Sequence, residues 1–411
     1  MIEEYIANHD CKTEETVPVL IKGKKHVLSV YRLPLDHLYY NIKNGRFKME
    51  YLLLVQKNGG RDLDPENDKD GIKIKKTLLS LDPSETRRTM DDIRERGQWV
   101  PGVVTHDGFV IDGNRRLAIL DELSAKNEEF KYMKVGKLPK DIEPNDLWKI
   151  EAGLQLGKEQ IVKYGPINEL LKLREGRDAG LSTEEIASTL YGFDNDKEIK
   201  EKLELLENIE DYLDKFLGKK NQYHLVKDRV EHFIDLVAIL KITDQLIDDS
   251  ELKTNVKIAT YGLIRKKIPH MELRKIREMI KQDSTAALEW ITKIADATMV
   301  TPTETEEPEP TLDEEVEDVI DEKDNGTEDE EEDEEEEEDE IKTMYTNALD
   351  SLTVTKNKND IPKLLTRALN NLDAIDYTNE DTNKDLTKDE AKDLILKILR
   401  HAKKLGSKIQ E

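Results

Sequence analysis

The chain has 411 residues, a net charge of −26 and a single cysteine, Cys11. The length leaves room for several domains of roughly 100–200 residues each, and one thiol excludes intramolecular disulfides, cysteine-based zinc sites and two-thiol redox cycles. The acidity is local: residues 301–340 hold 25 Asp and Glu against Lys323 alone, which leaves the other residues at a net −2.

No run of 18 apolar residues occurs, so no membrane span is expected. The start, MIEEYIANHDCKTEE, is acidic and lacks the apolar stretch of a secretory signal, so a cytoplasmic location is expected.

Residues 17–33 alternate apolar and polar side chains around Gly23, which predicts a hairpin. Residues 34–47 are turn-rich and end in Asn44-Gly45-Arg46-Phe47. The polar, glycine-containing stretch 56–72 predicts an inserted loop. Ser84 is the expected N-cap of a helix through Met90 and Ile93 to Arg96, stopped by Gly97. Val100 to Val104 and Phe109 to Ile111 then predict a second hairpin around Thr105-His106-Asp107-Gly108.

The next turn carries the most chemistry. Asp112-Gly113-Asn114 follows the strand, and Leu117, Ile119 and Leu120 open a helix. Arg115 and Arg116 therefore stand at a helix N-terminus, where unpaired N–H groups and the positive dipole end favour an anion. Arginine grips phosphate through two parallel hydrogen bonds, and Gly113 lets backbone approach a ligand closely. The alternative is a strand–turn–helix whose arginines pair with surface carboxylates. Asp112 is expected to be a cap or turn residue.

From residue 146 onward the periodicity is helical. Leu147, Ile150, Leu154 and Ile161 share one face, and Ile167, Leu170, Leu171 and Leu173 another. Gly180 ends that second helix, Ser182 and Glu185 match a capping box, and Ile199, Leu203 and Leu206 mark a third helix. The spacing fits a helix-turn-helix as well as an ordinary three-helix bundle. Residues 253–281 hold nine Lys or Arg against two Glu, among them Arg265, Lys266, Lys267, Arg274, Lys275 and Arg277. Such a stretch suits nucleic-acid phosphates or a solvated helix face. Residues 298–340 lack the apolar surface to offset chain entropy and read as a disordered acidic linker. Leucine stripes at Leu364 to Leu372 and Leu394 to Leu399 predict a last helical module with a core or self-association face.

Together these elements resemble the ParB/sulfiredoxin superfamily, in particular ParB-like proteins, over about Leu28 to Leu213. Asp112-Gly113-Asn114-Arg115-Arg116 stands in the place of that family's Gly-Glu-Arg-Arg turn. Ile93-Arg94-Glu95-Arg96-Gly97-Gln98 with Pro101 is similar to the lead-in to its hairpin, and Asn44-Gly45-Arg46-Phe47 more loosely to its early Asn-x-Arg element. Glu151-Ala152-Gly153-Leu154-Gln155 resembles the Glu-Asn-Leu-Gln segment. Gly180 to Ala187 resembles the first helix of the helix-turn-helix.

The resemblance implies an α+β chain with a ParB/sulfiredoxin-like domain (15–150) and a helix-turn-helix-like domain (151–218); periodicity and composition add a helical domain with the basic stretch (219–297), the acidic linker (298–340) and a C-terminal helical module (341–411). It implies binding of CTP or ATP with Mg²⁺, through Gly113, Asn114, Arg115 and Arg116 for the phosphates and Glu151 for the metal. The partners it implies are DNA and a second copy of the chain; a basic protein is a further candidate, for the acidic linker.

Three departures bear on mechanism. Asn114 is an amide where the family has an acid, so it is no general base and any NTP hydrolysis is expected to be slow. Ala152 and Gly153 replace the asparagine after the glutamate. The expected recognition helix opens on Asp194, Asp196 and Glu198, which a polyanion repels; if DNA is bound, 253–281 is the better candidate. The absence of a cysteine at 114 excludes sulfiredoxin chemistry. Two other classes stay open: a nuclease using Asp107, Asp112 and Glu151, and a non-enzymatic interaction scaffold.

Overall fold

The computed structural model describes residues 2–156, 165–190, 195–281, 285–300, 340–356, 361–373, 375 and 389–409. A short helix, α1 (Ile2–Asn8), precedes a hairpin of β1 (Lys12–Ile21) and β2 (Lys24–Pro34). Its tight turn places Lys22 and Gly23 at φ 50 and 71°, so the glycine stands where the sequence pattern puts it. Four more strands, β3 (Tyr39–Tyr40), β4 (Gly102–Val104), β5 (Phe109–Asp112) and β6 (Tyr132–Lys137), complete a sheet in the order β1-β2-β6-β4-β5-β3. β3 with β5 and β4 with β6 are parallel, and the other pairs are antiparallel. The chain is thus α+β, with a mixed six-stranded sheet.

The period of two along a strand sorts residues between two cores. Val104 and Val110 face α2 (Lys48–Lys57), α3 (Asp68–Ser80), α4 (Pro83–Arg96) and α5 (Asn114–Ser124), packing with Ile74, Leu78, Leu117 and Leu120. Val103 and Ile111, on the opposite face, meet Ile150 and Leu154 of α6 (Pro144–Leu156). Each fully buried aliphatic side chain contributes about 1.5–3 kcal/mol.

Two local expectations need correction. The stretch 56–72 is a loop only in part: α3 begins at Asp68, capped by Asn67, and its charged face hides the periodicity of Ile74 and Leu78. The N-cap of α4 is Asp82, whose carboxylate accepts from Glu85 N at 3.0 Å. Pro83, well suited to the first helical position, moves the start ahead of Ser84.

The second half is helical: α7 (Pro166–Asp178), α8 (Thr183–Thr189), α9 (Asp196–Asp211), α10 (Val230–Leu246), α11 (Ser250–Arg265), α12 (His270–Lys281), α13 (Thr285–Val300), α14 (Glu340–Lys356), α15 (Ile361–Asp373) and α16 (Asp389–Ile409). The capping box of Ser182 and Glu185 is present, and α8 and α9 pack Ile186, Leu190, Ile199 and Leu203 against Trp148 and Leu173. The turn at 191–194 and the predicted apolar Ile161 lie outside the described residues.

The boundary expected at 218/219 does not separate two cores. Leu170, Leu206, Ile209 and Tyr212 share one with Phe233, Leu236, Val256 and Ile276. Nor do 341–411 form a single module. Helix α14 buries Ile341, Tyr345 and Ala348 in that same core, and the Tyr345 hydroxyl donates to the Glu272 carbonyl at 2.7 Å. Helices α15 and α16 instead leave Leu365, Leu369, Leu394 and Leu399 exposed. Helix α13 runs on to Val300 with Thr298 buried, so residues 298–300 are helical; residues 301–339 lie outside the described residues.

Candidate functional site

The turn after β5 forms as its sequence requires. Gly113 is the N-cap of α5 at φ 109°, ψ 18°, a backbone geometry strained for any side chain, and an added Cβ would come within 2.9 Å of Met133. Among the described residues no side chain caps α5, so its first-turn N–H groups are left for another acceptor. They open onto a hollow of about 520 Å³, lined from the α/β half by Asn44, Arg46, Glu50, Asp82 and Glu85 and by the turn itself. Gly165 to Asn168 and Lys227 line it from the helical half. The volume is of the order that holds a small molecule.

The two arginines of the turn have different surroundings. Arg116 is tied down: Nη2 meets Asp112 Oδ2 at 2.9 Å, and Nη1 donates to the carbonyls of Val100 and Pro101. It staples the turn to the preceding strand, and Asp112 serves as its anchor. Arg115 makes no hydrogen bond or ion pair among the described residues. Burial lowers its pKa from the ordinary arginine value, Asp82 opposes that effect and Arg46 adds to it. A cation held in that state gains most from an incoming anion. The Asn114 side chain is buried and structural, its Oδ1 accepting from Asn41 N at 3.1 Å and tying α5 to the end of β3, while the residue itself lines the hollow at the start of α5.

Arg46, absent from the phosphate-binding set expected from sequence, is a further cation of the hollow. Its Nε and Nη2 are shielded from solvent and have no hydrogen-bond partner. Buried donors without acceptors are uncommon and unfavourable, so they ask for a ligand. The loop presenting Arg46 is fixed from three sides. Asn44 Oδ1 accepts from Arg46 N at 3.0 Å, Glu151 Oε1 from Gly45 N at 3.1 Å, and Asn168 Nδ2 donates to the Arg46 carbonyl at 3.1 Å. Asn168 also accepts from Met49 N at 2.8 Å and donates to Glu50 at 3.2 Å, joining α7 to α2. Arg46 and Lys227 lie far from the turn in sequence; the one signal is the Asn-x-Arg element at 44–46, and Lys227 has none.

Four acids share the lining with four cations. Asp112 is held by Arg116, Asp82 caps α4, and Glu85 pairs with Arg88 at 3.2 Å. Glu50 remains, its pKa raised by burial. Glu151, expected to hold a metal, does not line the hollow. Its carboxylate is buried, with Lys172 Nζ 3.1 Å from Oε2. Lys172, fully buried, also reaches Glu175 at 2.9 Å; burial works against the ammonium, but the two carboxylates outweigh it and raise its pKa. Mg²⁺ takes carboxylate and phosphate oxygens, and the carboxylate expected to hold it is occupied by an ammonium. The residues present do not fit the metal role. No group of three His, Cys, Asp or Glu able to hold a metal occurs among the described residues, and Asp107, Asp112 and Glu151 do not assemble as a nuclease centre would need.

The basic stretch 253–281 is largely satisfied from within. Arg274 Nε meets both Asp235 oxygens at 2.9 and 3.0 Å, and Arg277 lies 3.9 Å from the same carboxylate. Arg265 donates to the Thr298 carbonyl at 3.3 Å and covers the Phe216 ring, and Lys275 pairs with Glu272 at 2.6 Å. Lys266 and Lys267 sit at the end of α11, Lys267 at φ 55°, and both are engaged.

No protein-family model matches this chain, and no curated protein does. Among solved structures, the Pnob8-like ParB-N domain aligns over 65% of this chain and 99% of its own, at 14% sequence identity and a TM-score of 0.33. A likeness of that size says nothing of the site, whose chemistry rests on its own geometry. No helix of the described residues is long and apolar enough to cross a membrane.

Proposed function

We propose that the protein binds a nucleoside triphosphate, CTP or ATP, in the hollow before α5 and acts as a ParB-like, nucleotide-controlled adaptor. One observation carries the reading: the unpartnered Arg46 guanidinium nitrogens beside Arg115 and the uncapped N-terminus of α5. Guanidinium groups and helix N–H groups recognise phosphate oxygens by the same charge-assisted hydrogen bonds. The lining comes from both halves of the molecule, so an occupant would bear on how they sit together. Direct reading of DNA is disfavoured, because most cations of 253–281 are engaged and α9 opens on acids.

Calorimetric titration of the full chain with CTP and ATP tests it. Saturable binding of either, weakened by Arg115→Ala, is expected. No heat and no thermal stabilisation with either nucleotide, at millimolar concentrations, would overturn it.

A further inference from the structure

The charges in the hollow and in the loop support beside it bear on the ion a phosphate ligand brings with it, and the inference drawn from them rests on the nucleotide reading. Both oxygens of Glu151 are spoken for, Oε1 by the Gly45 N–H at 3.1 Å and Oε2 by the Lys172 ammonium at 3.1 Å. Lys172 has 0% side-chain exposure and is also bound to Glu175, so the ammonium has little room to withdraw. A cation that neutralises this carboxylate is therefore supplied by the chain itself, twenty-one residues downstream on α7. Of the acids that line the hollow, Asp112, Asp82 and Glu85 are committed to Arg116, to the cap of α4 and to Arg88. Glu50 alone is left, in hydrogen-bond contact with Asn168. Against it stand Arg46, Arg115 and Lys227, three cations with no ion pair within 4 Å among the described residues.

We propose that this hollow takes its phosphate ligand without a divalent cation: the Glu151 carboxylate expected to hold Mg²⁺ lies outside its lining and is already neutralised by the buried Lys172 ammonium. The free arginines and the lysine then carry the charge compensation. Because Mg²⁺ in solution binds the triphosphate tail itself, it competes with the protein for the same oxygens instead of bridging to it.

The test is calorimetry on the full chain with three probes, CTP, ATP and inorganic tripolyphosphate, each in EDTA and again in excess Mg²⁺. Equal affinity within about threefold, or weaker binding in Mg²⁺, is expected. The paired variant Lys172→Met with Glu151→Gln, which removes both charges together, is expected to keep binding in EDTA. Glu50→Gln is expected to bind as tightly or more tightly in EDTA. Binding that needs Mg²⁺ would overturn this inference while leaving the nucleotide reading intact, and its loss in Glu50→Gln would name the carboxylate that holds the metal. Absence of binding under both conditions would overturn the nucleotide reading and this inference with it.

Discussion

Cations gather in two parts of the molecule, the hollow before α5 and the layer of α11 and α12, and their fates differ. The helical layer has the higher count in sequence, yet its arginines meet Asp235, Thr298 and Phe216, and its Lys275 meets Glu272, all from the same bundle. The hollow has fewer, but Arg46 keeps two buried nitrogens without partners, and Arg115 makes no hydrogen bond or ion pair among the described residues. Local acids decide availability: in the hollow Asp112 goes to Arg116, and outside its lining Glu151 goes to Lys172, so neither quenches the remaining cations. Charge density measures how many cations a segment owns, whereas function depends on how many the fold leaves unspent.

The largest effect should follow from disturbing the support of the hollow. Lys172→Met leaves Glu151 buried beside Glu175 without a counter-charge, and removing one partner of a buried pair costs about 3–5 kcal/mol. Chemical denaturation should show that loss, and the paired variant with Glu151→Gln should recover much of it. Next come the unspent cations themselves. Arg46→Ala and Arg115→Ala each remove a charge-assisted contact worth about 1.5–3 kcal/mol, so nucleotide affinity should fall roughly 10- to 100-fold by calorimetry with little change in melting temperature.

The layer of α11 and α12 should behave in the opposite way. Arg274→Ala strips Asp235 of its closest partner and should lower stability by about 1–3 kcal/mol while leaving nucleotide affinity unchanged; a drop in affinity would break the contrast. The exposed Lys275→Ala should change stability by less than about 1 kcal/mol. The smallest effect concerns pH. Burial lowers the His232 pKa while its Nε2 meets the Ile268 carbonyl at 3.0 Å. A histidine depressed in the folded state favours folding above its ordinary pKa, because the unfolded chain takes up the proton first as pH falls. Stability should therefore fall as pH drops from about 7.5 through 6.5, and the slope should flatten in His232→Gln, as read by melting temperature.

Much of the fold is legible in the sequence because its signals are local. Gly23, Gly97, Gly113 and Gly180 all punctuate elements at positive φ, the box of Ser182 and Glu185 starts α8, and the hairpin around 105–108 pairs β4 with β5. Helix α3 escapes such a reading because Asp68 to Lys76 looks like polar chain until its buried residues are seen as one face. The docking of α14 escapes it because that helix joins a core whose other members lie tens of residues upstream.

At the site, the strand–turn–helix and its arginines are visible in sequence. Which arginine stays free is not, since that depends on Asp112 four residues before Arg116 and on backbone carbonyls at 100 and 101. The pairing of Glu151 with Lys172 and the arrival of Arg46 beside Arg115 are products of tertiary packing, and no spacing rule announces them.

A crystal of the full chain soaked with inorganic tripolyphosphate addresses the phosphate site without relying on any nucleobase. Phosphate oxygens within hydrogen-bond distance of Arg46 Nε or Nη2, the Arg115 guanidinium and the first N–H groups of α5 are the predicted result. An empty hollow at saturating soak, with the anion on the α11–α12 layer instead, would contradict the account.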